Sequence, residues 1–159
     1  MESDIFVPQF TYFMAETLGM LCDKLTIVKL KEYHTDDEQR LKSLHKQAIQ
    51  LQEEIDEYIL NAVNGNIAPE KLTFAANKVF KKEGNETADV SGNIGELFSQ
   101  LADINCKLWH EVEKGYDIEN VPVNEKDAIV KNLAVLNLQR NKCIDAIDIE
   151  FQQAVKSKL

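Results

Sequence analysis

A chain of 159 residues, 44% hydrophobic and 28% charged, with only six glycines and three prolines, has the composition of a folded domain richer in helix than in sheet and able to bury its own core. Its formal net charge of −9 argues against a duplex nucleic-acid surface, because neutralising phosphates takes clustered lysines and arginines. Cys22, Cys106 and Cys143 are odd in number and form no C-x-x-C pair, so they read as buried free thiols rather than as a zinc site or a disulfide framework.

The opening stretch begins acidic and carries Pro8 and Glu16 where a signal peptide would have a basic end and an unbroken apolar run, so neither export nor a membrane span is expected. From Gln9 apolar residues recur by threes and fours (Phe10, Phe13, Met14, Leu18, Leu21, Leu25, Val28), which predicts a first long helix to about Tyr33. Thr35-Asp36-Asp37-Glu38 has the form of a capping box and marks the start of a second helix, although the first could also run on through it. That second helix carries Leu41, Leu44, Ala48, Leu51, Ile55, Tyr58 and Ala62 and stops at Asn64-Gly65-Asn66. Pro69 opens a short helix in PEKLTFAANKVFKK, and EGNETADVSGN reads as a surface loop. A third helix is predicted from about Asn93 to Lys114, ending at Gly115, and a fourth from an N-cap at Asn124 through about Lys156.

Two of these segments match without a gap. LGMLCDKLTIVKLKEYH (18–34) laid on IGELFSQLADINCKLWH (94–110) pairs Gly19 with Gly95, Leu21 with Leu97, Lys31 with Lys107, Tyr33 with Trp109 and His34 with His110. Farther on, IDEYILNAV (55–63) matches IDIEFQQAV (147–155) at a larger offset, so the second copy has the longer connection. The expected architecture is therefore an all-α single domain over 1–159: a pseudo-symmetric four-helix bundle from a duplicated helical hairpin. Copy one covers about 9–63 and copy two about 93–157, with a short extra helix in the 64–92 insert.

The repeat puts candidate chemistry at matching helix ends. Lys31, His34 and Asp37 share a face on a continuous helix, as do Lys107, His110 and either Glu111 or Glu113. One reading of His34, Asp37, His110 and Glu113 is a divalent-metal site, completed by Glu54 or Glu57 and Asp145 or Asp148 from the other helices, although the lysines would repel a cation. A second is a pocket for a small anion served by Lys31, Lys107, Arg140 and the histidines, with Trp109 as a flat wall. A third makes the histidines solvated or structural and Trp109 a core anchor with its indole N–H satisfied. Glu54 and Glu57 read as a solvated acidic face and His45 as surface. Arg140 falls on or beside an inward stripe between Leu136 and Ile144, where a guanidinium needs a carboxylate or a bound anion; Asp37, Asp103 and Glu113 are the expected partners.

NCKLWHEVEKGYD followed by LNLQRNKCIDAID resembles the signature of an uncharacterised bacterial family, domain-of-unknown-function family 4254, which reads roughly N-x-x-L-W-H-x-E-D and then L-N-x-x-R-N-x-x-I-x-x-I-D. Asn105, Leu108, Trp109, His110, Glu113, Leu136, Asn137, Arg140, Asn141, Ile144, Ile147 and Asp148 match that pattern. Val112 departs from it where the family has an acid, while Arg40 in YHTDDEQR stands where the family's later Arg would fall. The chain also resembles conserved hypothetical proteins of T4-like phages. The resemblance implies a helical fold and a loose association with glycosyl or nucleotide-sugar chemistry, and it adds Asn137 and Asn141 to the candidate ligand-binding residues.

The functional expectation is a cytoplasmic accessory or binding protein of a bacterial or phage-infected bacterial cell, more an interaction module than an enzyme. Its groove for a small anionic ligand or a protein partner lies near Tyr33, His34, Trp109 and His110, and leftover apolar side chains predict a homodimer. The alternative is an enzyme acting on a phosphate- or sugar-containing small molecule, with a divalent metal as its only candidate cofactor.

Overall fold

The computed structural model describes residues 15–74, 87 and 89–158. Its regular elements are helices α1 (Leu18–His34), α2 (Glu38–Val63), α3 (Ile94–Tyr116) and α4 (Val123–Lys156), with a 3₁₀ turn at Pro69–Lys71 and no strand among the described residues. The expected start of the first helix at Gln9, and most of the helix and loop expected after Pro69, lie outside the described residues.

Local chemistry sets the helix ends. Thr17, extended at φ −102° and ψ 169°, caps α1 by accepting from the Met20 N–H. Between α1 and α2 the chain breaks at Thr35, so the first helix does not run on. The cap of α2 is Asp37 rather than Thr35: its Oδ1 accepts from the backbone N–H of both Gln39 and Arg40 at 2.9 Å, which a shorter Thr hydroxyl two residues earlier cannot reach. Asn93 and Glu96 form a reciprocal capping box at the start of α3. Gly115 does not end α3, which continues through Tyr116, and α4 starts at Val123 with Pro122 rather than Asn124 before it. Proline's fixed φ suits this place, where no N–H is required.

One core joins all four helices. Leu18, Leu21 and Val28 of α1 meet Ala48, Leu51, Tyr58 and Ala62 of α2, Leu97, Leu101 and Ile104 of α3, and Ile144, Ile147, Phe151 and Val155 of α4. Ile67 and Leu72, on either side of the 3₁₀ turn, complete it, and the Gln152 Nε2 donates to the Pro69 carbonyl to hold that turn on α4. Helix α1 is the hub, packing against α2, α3 and α4, which explains why its apolar residues are spread around the helix rather than gathered on one stripe.

The two segments that match in sequence dock differently. Helix α1 packs on α4, whereas the matching pair, α3 with α2, has no comparable contact. The contrast is visible at the matched glycines. A Cβ on Gly19 would sit 2.5 Å from the Ile144 carbonyl oxygen, and the Gly19 N–H donates to Asp148 Oδ1 at 2.7 Å, so α4 supplies a buried carboxylate to the first turn of α1. Gly95 faces open space. Cys22 and Cys143 are buried as expected, with burial pushing their thiols up to about 12 and about 11, but Cys106 is exposed on the outer face of α3.

Candidate ligand-binding site

Helices α1 and α3 end side by side, and their last turns bring together the aromatic and imidazole residues that the repeat pairs. The His34 ring stacks on the Trp109 indole at 4.8 Å with only 13° between planes. Tyr33 and His110 stand edge-on to His34 at 5.2 Å and 6.1 Å. The Trp109 indole N–H donates to Glu113 Oε1 at 2.8 Å, while His110 Nδ1 lies 3.2 Å from Glu113 Oε2. One carboxylate thus fixes the orientation of two rings on successive positions of α3. The bonds from His110 and then Trp109 hold the Glu113 carboxyl below the usual carboxylate range. Trp109 is partly exposed, so it is a surface wall with a satisfied N–H rather than a core anchor.

Beside this stack lies a cavity of about 550 Å³ lined by Lys31 and His34 of α1, Thr35 of the turn, Arg40, Ser43 and Leu44 of α2, and Trp109 of α3. The break at Thr35 and the start of α2 after Asp37 put Arg40, Ser43 and Leu44 in the first two turns of α2, where they line the same cavity as Lys31. No carboxylate lines the cavity, and neither Lys31 nor Arg40 pairs with an acid among the described residues. Two cations, two hydroxyls and an aromatic ring thus line one cavity on a molecule of net charge −9.

A second cavity of about 360 Å³ between α3 and α4 is lined by Lys107, His110, Glu111, Asn132, Val135 and Leu136. Its character is different. Glu111 Oε1 binds Lys114 at 2.6 Å, and Glu111 Oε2 is buried without a hydrogen-bond partner, so a carboxylate oxygen already occupies the wall. Lys107 and His110 therefore do not join Lys31 and His34 in one anion pocket.

Arg140 belongs to neither cavity. Its guanidinium binds the Asp23 carboxylate with both Nε, at 2.7 Å, and Nη2. Asn105 Nδ2 donates to the same Asp23 Oδ1 at 2.9 Å and to Thr26 Oγ1 at 2.8 Å, and Thr26 donates to the Asp23 carbonyl. Asp23 is 4% exposed and the Arg140 side chain 28% exposed. This network ties α1, α3 and α4 together and raises the Arg140 pKa, chiefly through the Asp23 hydrogen bond. The expected partners Asp37, Asp103 and Glu113 are not the ones used: Asp37 caps α2, Glu113 holds Trp109, and Asp103 is exposed. Asn137 is exposed and donates to the Leu133 carbonyl of its own helix; Asn141, half-buried, lines neither cavity.

Among the described residues no group of three or more His, Cys, Asp or Glu side chains is placed to hold a metal ion, so His34, Asp37, His110 and Glu113 do not converge as a ligand set. Glu54 and Glu57 are exposed on α2, and Asp148 is turned into the core against Gly19. No helix among the described residues is long and apolar enough to cross a membrane.

Arg40 and Asp23 are the principal residues that the sequence reading did not place. Arg40 carried a signal only through the resemblance quoted above, and the helix periodicity left it on a solvated face. Asp23 carried little: one acid among KL and TI turns of an amphipathic helix looks solvated until the neighbouring helix is known. No protein-family model, curated protein or solved structure matches the chain.

Proposed function

We propose that this protein is a helical binding module that captures a small anion in the cavity between the α1–α2 turn and Trp109. The observation that carries this reading is that Lys31 and Arg40, neither paired with an acid among the described residues, line one cavity that no carboxylate of a described residue lines. Lys31 and Arg40 would give an anion charge-assisted hydrogen bonds there. The duplicated hairpin is part of the same proposal, supported by the ungapped match and by the meeting of His34 with its counterpart His110. So are the kinship with family 4254, resting on the segments quoted above, a cytoplasmic location and a homodimer.

Trp109 is the sole tryptophan and lines the cavity, so its fluorescence reports occupancy directly. Titration with inorganic pyrophosphate should change the emission saturably in the parent, and the change should vanish in the double variant Lys31→Ala/Arg40→Ala while its helical circular dichroism is kept. Parent emission that stays flat with phosphate, pyrophosphate and sulfate alike removes the anion site.

A further inference from the structure

The cavity holds more than a place for charge. Its volume of about 550 Å³, partly open to solvent, is far beyond what a bare tetrahedral anion fills. Its walls are also divided by chemistry. Lys31, Arg40 and the hydroxyls of Thr35 and Ser43 offer charge and hydrogen bonds, whereas Trp109, His34 and Leu44 offer ring faces and apolar surface. The ring side is held in advance: the indole N–H is fastened to Glu113, and His34 lies flat on the indole. A stack with exposed ring surface accepts another flat ring at low ordering cost, because every aromatic base presents a π-face.

On the reading that this cavity binds anions, we infer that its ligand is a phosphorylated molecule carrying a flat heteroaromatic ring, of the nucleoside monophosphate class. The phosphate bridges Lys31 and Arg40, and the ring extends the His34–Trp109 stack over Leu44. Neither half suffices alone. A bare phosphate leaves the ring wall wet, and an uncharged nucleoside leaves both cations unmatched.

Calorimetric titration of the full chain with AMP, UMP, adenosine and inorganic pyrophosphate separates this inference from the reading beneath it. AMP or UMP should bind at least about tenfold more tightly than pyrophosphate, the gain expected of one base–aromatic stack. Adenosine should bind more weakly than AMP by a similar factor. Trp109→Leu should weaken AMP and UMP about tenfold more than it weakens pyrophosphate, with the melting temperature of the variant checking its fold. Pyrophosphate binding as tightly as the nucleotides, or an equal loss for all anions in Trp109→Leu, overturns the ring site and leaves anion binding standing. Binding of none of the four overturns both.

Discussion

Arg140 and Asp23 show how unequal the two halves of a buried ion pair are. Asp23 is enclosed and depends on Arg140 for both oxygens, while the guanidinium keeps an edge in solvent. Arg140→Ala leaves a buried carboxylate with Asn105 as its remaining side-chain donor and should cost about 3–5 kcal/mol. Asp23→Asn leaves an arginine that can turn to water, and should cost less. Denaturant melts of the two variants check that order, and Arg140→Ala should leave pyrophosphate titration unchanged because Arg140 lines neither cavity. A second buried acid, Asp148, gives a pH signature. Burial raises its pKa from 3.8 to about 6, against the opposing bonds from Thr17 and Gly19. Between these values the folded protein keeps a proton that the unfolded chain has released. This stability is complete below about pH 4 and is lost as pH rises through 6, by about 3 kcal/mol for a shift of two pH units. Asp148→Asn should lack that slope, so the stability of the parent relative to the variant should fall between pH 4 and 7. Of these residues, sequence periodicity placed Arg140 on an inward face, but the identity of its partner depends on which helix α1 faces, and no local spacing encodes that.

At the scale of single helices, most of what is seen follows from local rules. The four long amphipathic stretches are helices, and the second and third end within a few residues of their predicted stops because Asn64-Gly65-Asn66 and the run to Asp117 interrupt the pattern. The errors sit where one capping group competes with another. Thr35 and Asp37 both suit a cap, and the acid wins with two N–H partners. Asp37→Ala should therefore lower stability by about 1 kcal/mol, and Thr35→Ala by much less. The matched glycines make a sharper pair. Gly19→Ala forces α1 off the Ile144 carbonyl and should destabilise by about 2 kcal/mol. Gly95→Ala meets open space within a helix and should stabilise by about 0.5–1 kcal/mol. Thermal melts of the two alanine variants should move in opposite directions.

For the whole molecule, sequence repetition spoke to the helices and not to how they dock. Two segments can match at a Gly, a Lys, an aromatic and a His and still have different packing partners: α1 packs on α2, α3 and α4, whereas α3 packs on α1 and α4. The His34–Trp109 cluster was legible because it lies at helix ends fixed by the same pattern. The cavity beside it was not, because Arg40, Ser43 and Leu44 join its lining only through where α2 starts, which the cap at Asp37 sets. On the outer faces, Leu60, Val63, Val130 and Ile149 are exposed. A homodimer that covers some of them should appear as twice the chain mass in sedimentation equilibrium, and a monomer at all concentrations would dismiss it.

The dependence of α2 on α1 carries over into time. A helix docked mainly on one neighbour can lift away while the other three stay packed, so its amides should exchange with deuterium before those of α1, α3 and α4. The same movement carries Arg40, Ser43 and Leu44 away from Lys31 and Trp109 and so dismantles the cavity. An anion that bridges Lys31 and Arg40 would act as a clasp across that gap, slowing exchange along the first turns of α2 while leaving α4 unchanged, and mass spectrometry of peptides from the two helices would register the difference.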